Sequence, residues 1–166
     1  MSVGRLTLHR FNGDEIYNVE SATIEHYQEG DGSYSVTFRA EAGDTPIQTL
    51  PDTALLRAQP FAEWTLTLPK SPALLLRAGN SFVIPKGYSE QVQDYVTNLY
   101  YCEHEPMDEN EIVVLERDGR RVHARITGVA EDVNHYDGSK PPMWPVTSLP
   151  LKSSYVMLFF STTCSP

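Results

Sequence analysis

Only two cysteines occur in the 166 residues, Cys102 and Cys164. They form no CxxC and share no Cys/His spacing, so neither a disulfide framework nor a zinc site is expected. Basic side chains are also scarce. Against 22 Asp and Glu stand 13 Lys and Arg, a formal charge of −9. Such a surface repels a phosphate backbone and no basic stripe offsets it, so nucleic acid is not an expected partner. Long apolar runs are missing too. The cluster Pro72–Leu76 is far too short to span a bilayer, and the opening MSVGRLTLHRFNGDE lacks the apolar core of a signal peptide. No membrane partner is expected, and a cytoplasmic location is. Finally, no GxSxG, HExxH or GxxxxGK[ST] occurs, and no GxGxxG follows a strand. Their absence lowers the expectation of catalysis, although catalytic groups can lie far apart in sequence.

What is present points to strands. Hydrophobic residues make up 40% and charged residues 21% of the chain, a globular composition that suits one domain over 1–166. The clearest signal is IVVLERDGRRVHARITGV at Ile112–Val129, where Asp118-Gly119 joins two β-branched runs as a two-residue hairpin. That turn predicts pairing of Glu116 with Arg121, Leu115 with Val122 and Val113 with Ala124. Leu115, Val113, Val122, Ala124 and Ile126 then face a core, while Val114, Ile112, His123 and Arg125 lie on the half-exposed side.

The rest keeps that rhythm. Leu6, Leu8 and Arg10 alternate with Thr7, His9 and Phe11. Ser21–Tyr27 and Tyr34–Ala42 read as a second hairpin about Glu29–Ser33, which sets His26 inward or at a sheet rim. Thr53–Ala58 suits a turn or two of helix. Trp64, Leu66 and Leu68 alternate up to Pro69, Ser71-Pro72 opens Ala73–Ala78 as either a short helix or a buried strand, and Phe82–Ile84 is a brief strand closed by Pro85. Tyr95–His104 carries large residues on both faces, as a central strand does. Pro141, Pro142, Pro145 and Pro150 argue against a central strand through most of Glu131–Pro150. Leu151–Ser161 reads as a final strand. The fold class expected is all-β, mainly antiparallel: a β-sandwich or a partly closed β-barrel with one or two short helical turns.

Three groups of residues could carry chemistry. The loop Asp132–Ser139 holds Asp132, Asn134, His135, Asp137 and Gly138. An extra residue before Asp137 and Met143 at the twelfth position exclude an EF-hand. Asp132, His135 and Asp137 remain the ligands on offer for a divalent cation, and no other cofactor is expected. Glu103, His104 and Glu105, with Asp108, Glu109 and Glu111, form an acidic cluster. Trp144, Tyr136 and Tyr100 are aromatic residues suited to an interface or a stacking platform.

The leading expectation is a non-catalytic binding or assembly module. It would engage a protein partner, basic in charge or a second copy, through strand edges and the loop 132–144, with Tyr136, Trp144, Tyr100, Glu103 and Glu105 in contact. The alternatives are a carbohydrate- or small-ligand-binding β domain and a small metal-dependent enzyme.

Overall fold

The computed structural model describes residues 4–50, 59–90, 93–101, 103–119, 121–132, 144–148 and 156–158. Alternation of apolar and polar residues becomes strand along most of them: β1 (Gly4–Arg10), β2 (Gly13–Gln28), β3 (Tyr34–Ala42), β4 (Phe61–Leu68), β5 (Ser81–Ile84), β6 (Tyr88–Ser89), β7 (Asp94–Tyr95), β8 (Thr97–Tyr101), β9 (Glu103–Pro106), β10 (Asp108–Asp118), β11 (Arg121–Val129), β12 (Trp144–Ser148) and β13 (Val156–Leu158). One helical turn, α1 (Pro72–Leu75), has proline in its first positions. The fold is all-β and almost wholly antiparallel. A single sheet runs β5-β10-β11-β12-β1-β2-β3-β4-β8-β9. β13 pairs antiparallel with β11 and parallel with β2, and β6-β7 form a small separate ladder.

The sheet curls into a half-barrel around one core. Leu6 and Leu8, Val19 and Ile24, Val36 and Phe38, Trp64, Leu99, Ile112 and Val114, and Val122 are buried on its inner face. The chain itself joins the two ends of the ladder, because β9 passes through buried Met107 directly into β10. One buried amide ties those ends together from within. Asn110 Oδ1 accepts from the Trp64 indole N–H at 3.2 Å. Its Nδ2 donates to the Met107 carbonyl at 2.8 Å and lies 3.3 Å from the Ile84 carbonyl. β4, β5 and β10 thus meet on one side chain. The approach is assisted by a bulge, with the β10–β11 register shifting between Asp108 and Glu111 and Glu109 at φ 49°.

Three expectations are corrected. A hairpin forms here, but Asp118 belongs to β10 and pairs with Arg121 instead of lying in the turn, and the register slips again across Leu115. Glu116 therefore lies opposite His123 rather than Arg121, and Val114 rather than Val113 lies opposite Ala124. A one-residue slip exchanges the faces of a strand, so Ile112 and Val114 enter the core while Val113 and Leu115 are half-buried. On β11 Val122, Ala124 and Ile126 are buried and Arg125 exposed as expected, but His123, expected on the half-exposed side, is buried as well. The second correction concerns Trp144–Ser148, which is a strand between β1 and β11 and not an irregular loop. Pro145 is tolerated because β11 pairs only with Val146–Ser148, leaving Pro145 opposite Leu8 on β1 alone. Tyr95–His104 is likewise not one strand, since Glu103–Pro106 folds back on β8. The helix expected at Thr53–Ala58 and most of the strand expected at Leu151–Ser161 lie outside the described residues.

Replacing Asn110 with alanine orphans the buried Trp64 N–H and opens a cavity, and should lower the unfolding free energy by about 2–4 kcal/mol in urea denaturation. Gly128→Ala should cost about 1–3 kcal/mol, because its new Cβ would lie 2.6 Å from Asn110 Oδ1 and 3.3 Å from Met107 Sδ. A melt unchanged by both would show that the amide does not hold the ends together.

Candidate functional site

Where the ladder ends, a seam is left between β4 and β5. β8 pairs with β4 only from Phe61 to Trp64, and β5 pairs with β10 on one edge. Val96 bridges the seam at one point, accepting from the Thr65 N–H at 2.7 Å and donating to the Gly87 carbonyl at 2.9 Å. Elsewhere the seam is a cavity of about 590 Å³ bordered by Leu66, Leu68, Leu75, Phe82, Ile84 and Val96. Residues from both faces of β4 line it, inward Leu66 and Leu68 with outward Thr65 and Thr67, so it passes between the strands. Arg117 fixes its wall. The guanidinium Nη1 reaches the carbonyls of Pro72, Ala73 and Leu76 at 2.9–3.2 Å, holding the C-terminal end of α1 and with it Leu75.

A second arrangement lies on the outer face. Register places Glu41, Phe61, Tyr100 and His104 in one row across β3, β4, β8 and β9, with Arg39, Glu63 and Asn98 in the next. Phe61 stacks on Tyr100 at 5.2 Å and 17°, His104 tilts against Tyr100 at 4.9 Å, and the Arg39 guanidinium sits 4.4 Å from the Phe61 centroid. Arg39 also pairs with Glu41 and Glu63, while His104 Nδ1 meets the Asn98 amide at 2.7 Å. The faces of Tyr100 are thus taken up by Phe61 and His104.

The third arrangement is inside. The alternation that buries Leu6 and Leu8 also buries Arg10, and a charge there needs partners. Arg10 Nε donates to Asp132 Oδ2 at 2.9 Å, and its Nη1 lies 3.8 Å from Glu15 Oε2. Glu15, fully buried, accepts the Tyr17 hydroxyl at 2.7 Å and the Tyr101 hydroxyl at 2.8 Å. Burial pushes both phenols above their ordinary value, with the adjoining Glu15 carboxylate adding to the effect. Burial likewise pushes His26 down.

The residues singled out from the sequence are distributed among these places. Tyr100 lies in the outer row. Glu105 and Asp132, far apart in the chain, border one cleft of about 440 Å³ with Lys86, Asp108 and Glu131. Glu103 is exposed on β9. Asp132 is buried and accepts from Arg10, and among the described residues no three His, Cys, Asp or Glu gather closely enough to hold a metal ion. His135, Tyr136 and Asp137 lie outside the described residues. Trp144 is placed by its backbone alone, opposite His9. No helix among the described residues is long and apolar enough to cross a membrane. The seam, Arg10, Glu15 and Tyr17 were not anticipated as sites. Arg10 had a visible signal, a cation in phase with Leu6 and Leu8. No protein family, curated protein or solved structure matches this chain.

The inner cluster makes two predictions. Tyr101→Phe should destabilise by about 1.5–3 kcal/mol, the worth of a hydrogen bond to a charged acceptor, read as a shift in the urea midpoint. Because the folded-state pKa values of Tyr17 and Tyr101 are raised, the folded state holds protons that the unfolded chain releases near 10.0. Stability should be intact below that pH and fall as pH rises beyond it. Tyrosinate absorbance measured alongside should show two tyrosines ionising only on unfolding.

Proposed function

We propose that the protein is a non-catalytic binding domain that holds an apolar small molecule in the seam between β4 and β5. The observation that carries this reading is the cavity of about 590 Å³, walled by aliphatic and aromatic side chains where β4 runs on beyond its pairing with β8 and faces β5. Its size falls within the range of small-molecule sites. The described strand edges suit a protein strand less well. β9 carries Glu103, Glu105 and Pro106, the charges and proline by which edges resist pairing. The free edge of β5 faces β4, and where their Cα atoms come within 8 Å of each other a strand, which needs about 9.5 Å, does not fit between them.

A second reading, a protein partner, is favoured by the outer row of Phe61, Tyr100 and His104 with Arg39. Rigid rings beside a guanidinium are common anchors of interfaces. The acidic cleft of Glu105, Asp108 and Glu131 would steer a basic partner to that side. A cytoplasmic setting belongs to both readings.

The test is a neutral apolar dye, Nile red, titrated into the protein and into Thr67→Trp. Thr67 is exposed on the groove wall, so a tryptophan there fills the seam without removing a core side chain. Saturable fluorescence enhancement that weakens at least tenfold in the variant is expected. Enhancement equal in both proteins would place the dye elsewhere and sink the proposal.

A further inference from the structure

The charge around the seam narrows the class of ligand, on the footing that the seam is a binding site as proposed above. The chain carries a net −9, yet the stretch that builds one wall of the cavity, from Pro69 to Ser89, contains Lys70, Arg77 and Lys86 and not one carboxylate. Its apolar members Pro69, Leu75, Phe82, Val83, Ile84 and Pro85 line the cavity, and all three cations on it are exposed. Lys70 follows lining residue Pro69 directly, and Arg77 follows Leu75 and buried Leu76 at the end of α1. Lys86 follows Pro85 but also borders the acidic cleft, where Glu105, Asp108 and Glu131 compete for it. Among the described residues neither Lys70 nor Arg77 is ion-paired, and these two are the cations placed to meet a ligand.

The lining points the same way. The cavity between β4 and β5 is bordered mainly by apolar side chains, Leu66, Leu68, Leu75, Phe82, Ile84 and Val96 among them, as a hydrocarbon chain requires. Val83, 78% exposed, marks the outer lip, and buried Leu66, Leu68 and Ile84 form the inner wall. We infer that the seam takes a free long-chain fatty acid, its polymethylene chain lying between β4 and β5 and its carboxylate held at the rim by Lys70 and Arg77. Exposed cations contribute modestly and in a salt-dependent way, so the head group selects among apolar ligands while the chain supplies most of the affinity.

The experiment uses laurate and 1-dodecanol, below their aggregation limits, in calorimetric titrations of the full chain, Lys70→Glu/Arg77→Glu and Thr67→Trp. Laurate should bind at least tenfold more tightly than dodecanol at low salt. The charge-reversed protein should lose that preference while keeping its affinity for dodecanol, and Thr67→Trp should weaken both. Equal affinities for the two ligands, unchanged by charge reversal, would overturn the head-group inference and leave the apolar seam standing. No binding of either ligand would overturn the seam as a site altogether. Co-sedimentation with phosphatidylglycerol vesicles, without binding of free laurate, would assign the cations to a bilayer surface and likewise overturn the inference.

Discussion

One buried amide closes this molecule. A sheet of this length twists as it grows, and the curl brings β4 and β8 round to face β5 and β10. What keeps the two ends in place is Asn110, accepting from an indole on one side and donating to backbone carbonyls on the other. A purely apolar contact would be non-directional and would tolerate sliding. The amide demands a particular register, and Gly128 leaves just enough room for it. The bulge at Glu109, buried Met107 and the pairing of β5 with β10 all lie beside that one side chain.

The seam is the residue of the same constraint. Because closure is made by a side chain and by Val96, the backbone ladder need not continue between β4 and β5. The unpaired edges there are lined by side chains from both faces of the sheet. Arg117, reaching across from the tip of β10, keeps α1 against this opening. The buried cluster of Arg10, Glu15, Asp132, Tyr17 and Tyr101 belongs to a different task. Its one cation and two carboxylates are held by short hydrogen bonds and an ion pair in an interior that would otherwise expel them, and it links β1 and β2 to β8 and to the segment after β11.

Sequence patterning reads strands well where one face is apolar. β1, β3, β4 and the β11 face are legible in Leu6–Leu8, Val36–Ala40, Trp64–Leu68 and Val122–Ile126, because period two is what a half-buried strand requires. It reads poorly where the backbone departs from that period. The slip across Leu115 exchanges the faces of β10 and no residue announces it. β12 is hidden by Pro145, since a proline opposite a single neighbour looks in sequence like a proline in a loop. The candidate site is the least legible part. A cavity between strands that are distant in the ladder has no local pattern, and only the clean run of cations from Pro69 to Ser89 hints at it.

The first strand finds its second neighbour very late. β1 lies between β2, its hairpin partner, and β12, with His9 set opposite Trp144. Non-local pairing of this kind is slow because a long loop must close before any contact rewards it. As the chain leaves the ribosome, the N-terminal hairpin must wait with one side bare until more than a hundred further residues have emerged. Premature association of nascent copies through β1 is therefore the hazard that this topology carries into synthesis.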